Sequence, residues 1–152
     1  ITTKHRIDLT FHKLEKKINK VIDEYDKNKG MTIGLSKDLG IITHYIADYF
    51  TFPHNIEYPG TMTEHIHYEA QLKVDFREFV QKMKEKHAHF QEVNMQSADE
   101  ICTFIRKCHE EYLHAVKSVE NDCRYILQIC AQVVGAILHL LQQNSMPLGC
   151  YM

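Results

Sequence analysis

The stretch that decides the fold is residues 7–25, IDLTFHKLEKKINKVIDEY. Its apolar residues recur at alternating steps of four and three, which places them along one side of an α-helix. Those residues are Ile7, Phe11, Leu14, Ile18, Val21 and Tyr25. We therefore expect a first helix from about Thr3 to Asn28, with one buried stripe.

Two further helices follow from the same periodicity and from signals at their ends. Helix two is expected to open near Ser36 and to stop near Phe52, because Pro53 cannot donate a hydrogen bond to the helical ladder. A loop rich in helix breakers comes next. Helix three is then capped by Thr61 or Thr63.

The last predicted helix is unusually long. Ser97 with Glu100 three residues later forms a capping box, and neither Gly nor Pro follows until Gly135. We expect this helix to continue to about Gln143 and the tail, 144–152, to be flexible. The predicted fold is all-α, an antiparallel four-helix bundle with up-down-up-down topology and a long C-terminal helix.

Composition limits the classes of function. A chain of 152 residues is long enough for one domain with its own core, spanning 1–152, and one that begins at Ile1 is compatible with excision from a longer chain. The net charge of −2 argues against a nucleic-acid partner. Five cysteines without a regular framework favour free thiols and a cytoplasmic location.

One segment of the predicted C-terminal helix is apolar on nearly every face. It runs from Tyr125 to Leu141, which is short for a membrane span and contains polar interruptions. We expect it to pack centrally or to bury one face against a protein partner or a second copy of the chain. The residues proposed for that interface are Ile126, Ile129, Val133, Ile137 and Leu140.

Eleven histidines invite a metal hypothesis, although scattered surface histidines would explain the same number. His65 and Glu69 are the best candidates, because a four-residue step places them together on the apolar side of helix three. They could form a hydrogen-bonded pair or share a cation. The sequence shows no phosphate-binding glycine loop, HExxH or CxxC motif, or serine nucleophile elbow.

Several segments resemble bacterial hemerythrin domains. The matching segments are Ile7-Asp8-Leu9-Thr10-Phe11, Tyr49-Phe50, Tyr58-Pro59-Gly60 with His65 and Glu69, and residues 100–117. The resemblance implies a four-helix bundle around two iron ions held by histidines and carboxylates. Of the ligand positions, only His65 keeps the family's residue, while Phe11, Tyr49 and Tyr112 stand where the family has histidine. The resemblance thus implies core aromatic rings in place of most of the iron ligands.

These observations favour a non-catalytic, regulatory interaction module on a hemerythrin-like scaffold. In this interpretation the chain is not an enzyme, needs no cofactor, and acts through a protein partner or as a homodimer. The alternative is a metal-binding or oxygen-sensing hemerythrin-like domain. In that case iron or another transition metal would lie at His65 and Glu69.

Overall fold

The computed structural model describes residues 3–55 and 58–144, and the regular secondary structure within them is helical. Residues 145–152 of the predicted flexible tail lie outside the described residues. Five α-helices are present, α1 Thr3–Asp23, α2 Ile33–Tyr49, α3 Met62–Glu85, α4 Ala98–His114 and α5 Val119–Asn144. A short 3-10 helix, Phe52–His54, follows α2 and is called the 3-10 turn below. The predicted all-α bundle is confirmed, although it contains five α-helices instead of four.

The core forms where the apolar stripes of the helices meet. The α1 stripe is buried from Ile7 to Val21, as its periodicity predicts, and it packs mainly against α2. On the other side, α5 packs against both α3 and α2. Each large apolar side chain that leaves water contributes on the order of 1.5–3 kcal/mol, so these contacts dominate the stability of the fold.

The helices α2, α3 and α4 begin at residues whose side chains cap them. Thr32 caps α2, although helix two was expected to open near Ser36, and Thr61 caps α3 in a complete capping box with Glu64. Ser97 caps α4 as expected and accepts a hydrogen bond from the backbone N–H of Glu100. The Glu100 carboxylate, however, accepts its hydrogen bond from the N–H of Gln96, next to the cap residue.

The predicted long C-terminal helix is in fact two helices, α4 and α5. The ammonium group of Lys117 donates hydrogen bonds to the backbone carbonyls of Tyr112 and Leu113, at 3.0 and 2.6 Å, and so caps the end of α4. Ser118 then accepts from the N–H of Asn121 and opens α5. Side chains end the helix here, without the Gly or Pro that usually marks such a break.

The structure corrects the predicted protein interface on the last helix. The five residues expected at an interface lie in the core of their own chain, each at most 5% exposed: Ile126, Ile129, Val133, Ile137 and Leu140. Because α5 packs against all four other helices, it needs apolar residues on more than one face. By length and composition α5 could also cross a membrane, with a mean hydropathy of 1.5 and 44% of that window buried. A core helix passes the same test.

A candidate metal centre at the 3-10 turn

Two histidines and a glutamate converge where the 3-10 turn meets α3. The candidate ligand atoms of His54, His65 and Glu69 all lie within 4.8 Å of one another. Glu69 Oε1 is 2.6 Å from Nε2 of His54 and 3.1 Å from Nε2 of His65. All three side chains are half-buried, with Glu69 the most exposed at 40%. The cluster is therefore open to solvent on the glutamate side.

The local sequence explains how the three residues meet. Pro53 lies in the first turn of the 3-10 helix, where its fixed φ angle suits a helix start, and His54 follows it directly. The capping box at Thr61 starts α3, so His65 lies in its first turn and Glu69 one turn later on the same side. The predicted pair, His65 and Glu69, lies on α3, and the third residue, His54, comes from the 3-10 turn.

The ring of His54 is oriented as a metal-binding histidine usually is. Its Nδ1 lies 3.2 Å from the backbone oxygen of Asp48, which can only accept, so Nδ1 donates. In the neutral ring, Nε2 then presents a lone pair to the carboxylate oxygen of Glu69 at 2.6 Å. Two lone pairs this close repel each other unless a proton or a metal ion lies between them. Histidine ligands commonly donate their second N–H to a backbone carbonyl in this way.

Asp48 and His44 extend the set of donor atoms along α2. Asp48 Oδ2 lies 3.4 Å from Nε2 of His44, and its Oδ1 lies 3.7 Å from Nδ1 of His54. His44 is largely exposed, whereas Asp48 is partly covered. Nitrogen and carboxylate donors thus continue from the three-residue cluster onto the neighbouring helix.

The charge on Glu69 is stabilised by its neighbours. Burial opposes ionisation, but when a proton lies between Glu69 and each imidazole, the hydrogen bonds from His54 and His65 outweigh burial and lower the pKa of the carboxyl below its ordinary value. A carboxylate that stays ionised together with two imidazoles is a donor set that suits zinc and other transition metals. Three protein ligands leave a coordination position open, which is typical of catalytic rather than structural zinc sites.

Sequence reasoning missed His54. It lies between Pro53 and a segment rich in helix breakers, and no periodic pattern connects it with His65. The available signal was the density of histidine, aspartate and glutamate between positions 44 and 69, a segment that includes His44, Asp48, His54, His65 and Glu69. The convergence itself depends on tertiary structure.

The aromatic residues expected at former iron-ligand positions lie in the core. Phe11, Tyr49 and Tyr112 are at most 6% exposed. The Phe11 and Tyr49 ring centroids are 5.6 Å apart, and Tyr49 stacks on His109 at 3.8 Å. Among the described residues, the metal-type cluster lies at the 3-10 turn and not among these rings.

Comparison with known proteins corrects the functional interpretation. Residues 1–121, most of the chain, match the profile of the family described as Zinc dependent phospholipase C. No curated protein and no solved structure matches the chain significantly. The hemerythrin-like assignment is therefore wrong. The expectations of a non-catalytic regulatory module, of no enzyme activity and of no cofactor are also wrong, because the family's description names a zinc-dependent phospholipase C. The chain belongs to the zinc-dependent phospholipase C family.

Proposed function

We propose that the chain hydrolyses phospholipids as a zinc-dependent phospholipase C, with zinc held by His54, His65 and Glu69. The observation that carries this proposal is the convergence of those side chains in a member of the family. The donor set fits zinc, since it combines imidazole nitrogen and carboxylate oxygen, and His54 already orients a nitrogen lone pair toward the other two ligands.

The proposed reaction cleaves the bond between phosphorus and the glycerol oxygen of a phospholipid. Water adds to phosphorus, that bond breaks, and the glycerol oxygen leaves with a proton as diacylglycerol, while the head group keeps the phosphate. Zinc would supply Lewis-acid polarisation of a phosphoryl oxygen and lower the pKa of the attacking water. The chain's own residues orient the centre: the backbone oxygen of Asp48 accepts from Nδ1 of His54 and so holds that ring, and α3 presents His65 and Glu69 one turn apart.

Exposed apolar side chains next to the cluster suit a lipid substrate. Met62 and Ile66 are 69% and 57% exposed, and their spacing puts them beside His65 and Glu69 on α3. At this exposure, the protein itself covers only a minor part of either side chain. Contact with acyl chains would bury them while the phosphate approaches the cluster.

Reconstitution with zinc tests the proposal. Metal-free protein is loaded with zinc and given short-chain phosphatidylcholine, and release of phosphocholine and diacylglycerol is measured. We expect His54→Ala and Glu69→Gln each to lower the rate at least about 100-fold, since each removes a ligand. His67→Ala is the matched control, because His67 is exposed on the same helix outside the cluster. Stoichiometric zinc without release of phosphocholine would contradict the proposed activity.

Two expectations from the sequence stay predictions. The chain is still proposed to bind a protein partner or to form a homodimer, but through a surface other than α5, because the proposed α5 residues are buried. Light scattering would measure the mass in solution. A cytoplasmic location is likewise proposed from the cysteine content alone.

A further inference from the structure

A buried carboxylate on α5 connects the elements that carry the proposed ligands. Asp122 is 0% exposed. Its Oδ2 accepts hydrogen bonds from the backbone N–H of Phe52 at 2.8 Å and from the hydroxyl of Tyr68 at 2.9 Å. Its Oδ1 accepts from the hydroxyl of Tyr112 at 2.7 Å. One side chain thus joins the 3-10 turn, α3 and α4 to α5.

The two partners of Oδ2 are immediate neighbours of proposed ligands. Phe52 lies two residues before His54 in the 3-10 turn, and Tyr68 directly precedes Glu69 on α3. The hydrogen bond to Phe52 spans 70 positions of sequence, so it is a tertiary constraint on the turn. Loss of this hydrogen bond would allow the 3-10 turn to shift relative to α3.

A contribution to stability does not by itself explain why a carboxylate is buried at position 122. None of the ion pairs found in 3–55 and 58–144 involves Asp122. Burial raises the pKa of Asp122 even against its three hydrogen-bond donors, so the charge is costly to the folded state. An apolar residue at this place in the core would avoid that cost. The carboxylate does what an apolar residue cannot, since it accepts from a backbone N–H and a side-chain hydroxyl at once.

We propose that Asp122 is a positioning residue of the metal centre, whose carboxylate fixes the 3-10 turn against α3 and thereby sets the distance between His54 and Glu69. The inference rests on the proposed function, because it assumes that these residues bind zinc. Groups outside the ligand set that orient ligands typically change metal affinity about 10- to 100-fold when removed.

The test measures zinc affinity of the metal-free protein by competition with a chromophoric chelator, and the absorption spectrum of the cobalt-substituted protein. We expect Asp122→Ala to weaken zinc binding about 10- to 100-fold and to change the cobalt spectrum. Asp122→Asn should recover most of the affinity, since its oxygen can still accept from Phe52 and Tyr68 while the hydroxyl of Tyr112 turns to accept from the amide. Because the amide also restores part of the stability lost in Asp122→Ala, a destabilising variant elsewhere in the core serves as the control.

A control and a second pair of variants keep the result decisive. Val133→Ala destabilises the same helix in the core, three turns away from Asp122, and should leave zinc affinity unchanged. If Asp122→Ala does not fold, Tyr68→Phe should weaken zinc binding more than Tyr112→Phe, because Tyr68 precedes Glu69. Wild-type affinity in Asp122→Ala, or equal losses in Val133→Ala, would overturn the positioning role. Absence of zinc binding by the wild type would instead overturn the proposed function on which it rests.

Discussion

At the scale of single residues, His109 of α4 holds the end of the 3-10 turn through a hydrogen bond to Asn55. It is 5% exposed, and its Nε2 lies 2.7 Å from Oδ1 of Asn55, the residue after His54. The amide nitrogen of Asn55 already donates to the carbonyls of Tyr49 and Thr51, so Oδ1 must accept and His109 must donate from Nε2. Burial lowers the pKa of His109 to about 4, and Lys117 adds to this effect. The neutral ring is therefore the form the fold requires.

This depressed pKa predicts a loss of stability in mild acid. Between pH 6.5 and about 4 the unfolded chain binds a proton at His109 that the folded chain does not, so stability is full above that window and falls as pH decreases through it. From pH 7 to pH 5 the contribution is about 2 kcal/mol. Urea unfolding at both pH values would measure it. His109→Gln keeps a donor for Asn55 and should lose less stability over the same change; an equal loss would contradict the assignment to His109.

Part of the candidate site could be predicted from these residues alone. His65 and Glu69 are found by the four-residue step on one helix, because helical spacing fixes their relative position locally. His54 and Asp122 could not be found in this way. Their roles depend on contacts across 15 and 70 positions of sequence, and no local pattern encodes such contacts.

At the scale of helices, apolar periodicity predicted α1 well, because its buried residues form a single stripe from Ile7 to Val21. The break between α4 and α5 was missed for a physical reason. Lys117 and Ser118 end one helix and start the next through side-chain hydrogen bonds, and both residues also occur within helices. The apolar faces of α5 were misassigned to an interface, because sequence does not show how many neighbours a helix has.

The exposed side of α3 carries a prediction about lipid packing. We expect the double variant Met62→Ser with Ile66→Ser to lower the rate on phospholipid vesicles about 30-fold, since each exposed apolar side chain contributes on the order of 1 kcal/mol when partly buried in lipid. The rate on monomeric short-chain substrate should change little, because the ligands are untouched. The two rates are compared in parallel assays.

Val116→Ser provides the control for that comparison. Val116 is 75% exposed and lies between α4 and α5, outside the metal cluster. Its substitution removes exposed apolar surface without altering α3. An equal loss on vesicles in this control, or an equal loss on both substrates in the α3 variant, would contradict a specific lipid contact beside the ligands.

At the scale of the whole molecule, hydrogen bonds and packing contacts connect the metal centre to α3, α4 and α5. The 3-10 turn is held from one side by Asp122 of α5 and from the other by His109 of α4, through Asn55. His65 and Glu69 lie on α3, which packs against α5. Separating these elements would separate the ligands. Metal binding and global folding should therefore be coupled.

That coupling predicts that zinc raises the melting temperature. A ligand at 100 times its dissociation constant stabilises the folded state by about 2.7 kcal/mol, which for a chain of this size corresponds to roughly 5–10 °C. Calorimetry on metal-free and zinc-loaded protein would measure the shift, and a chelator should reverse it. His67→Ala should keep the full gain, because that side chain lies outside the cluster. His54→Ala should lose most of it, since His65 and Glu69 remain as an incomplete ligand set on one helix. An undiminished gain in His54→Ala would mean that zinc stabilises the protein from another site.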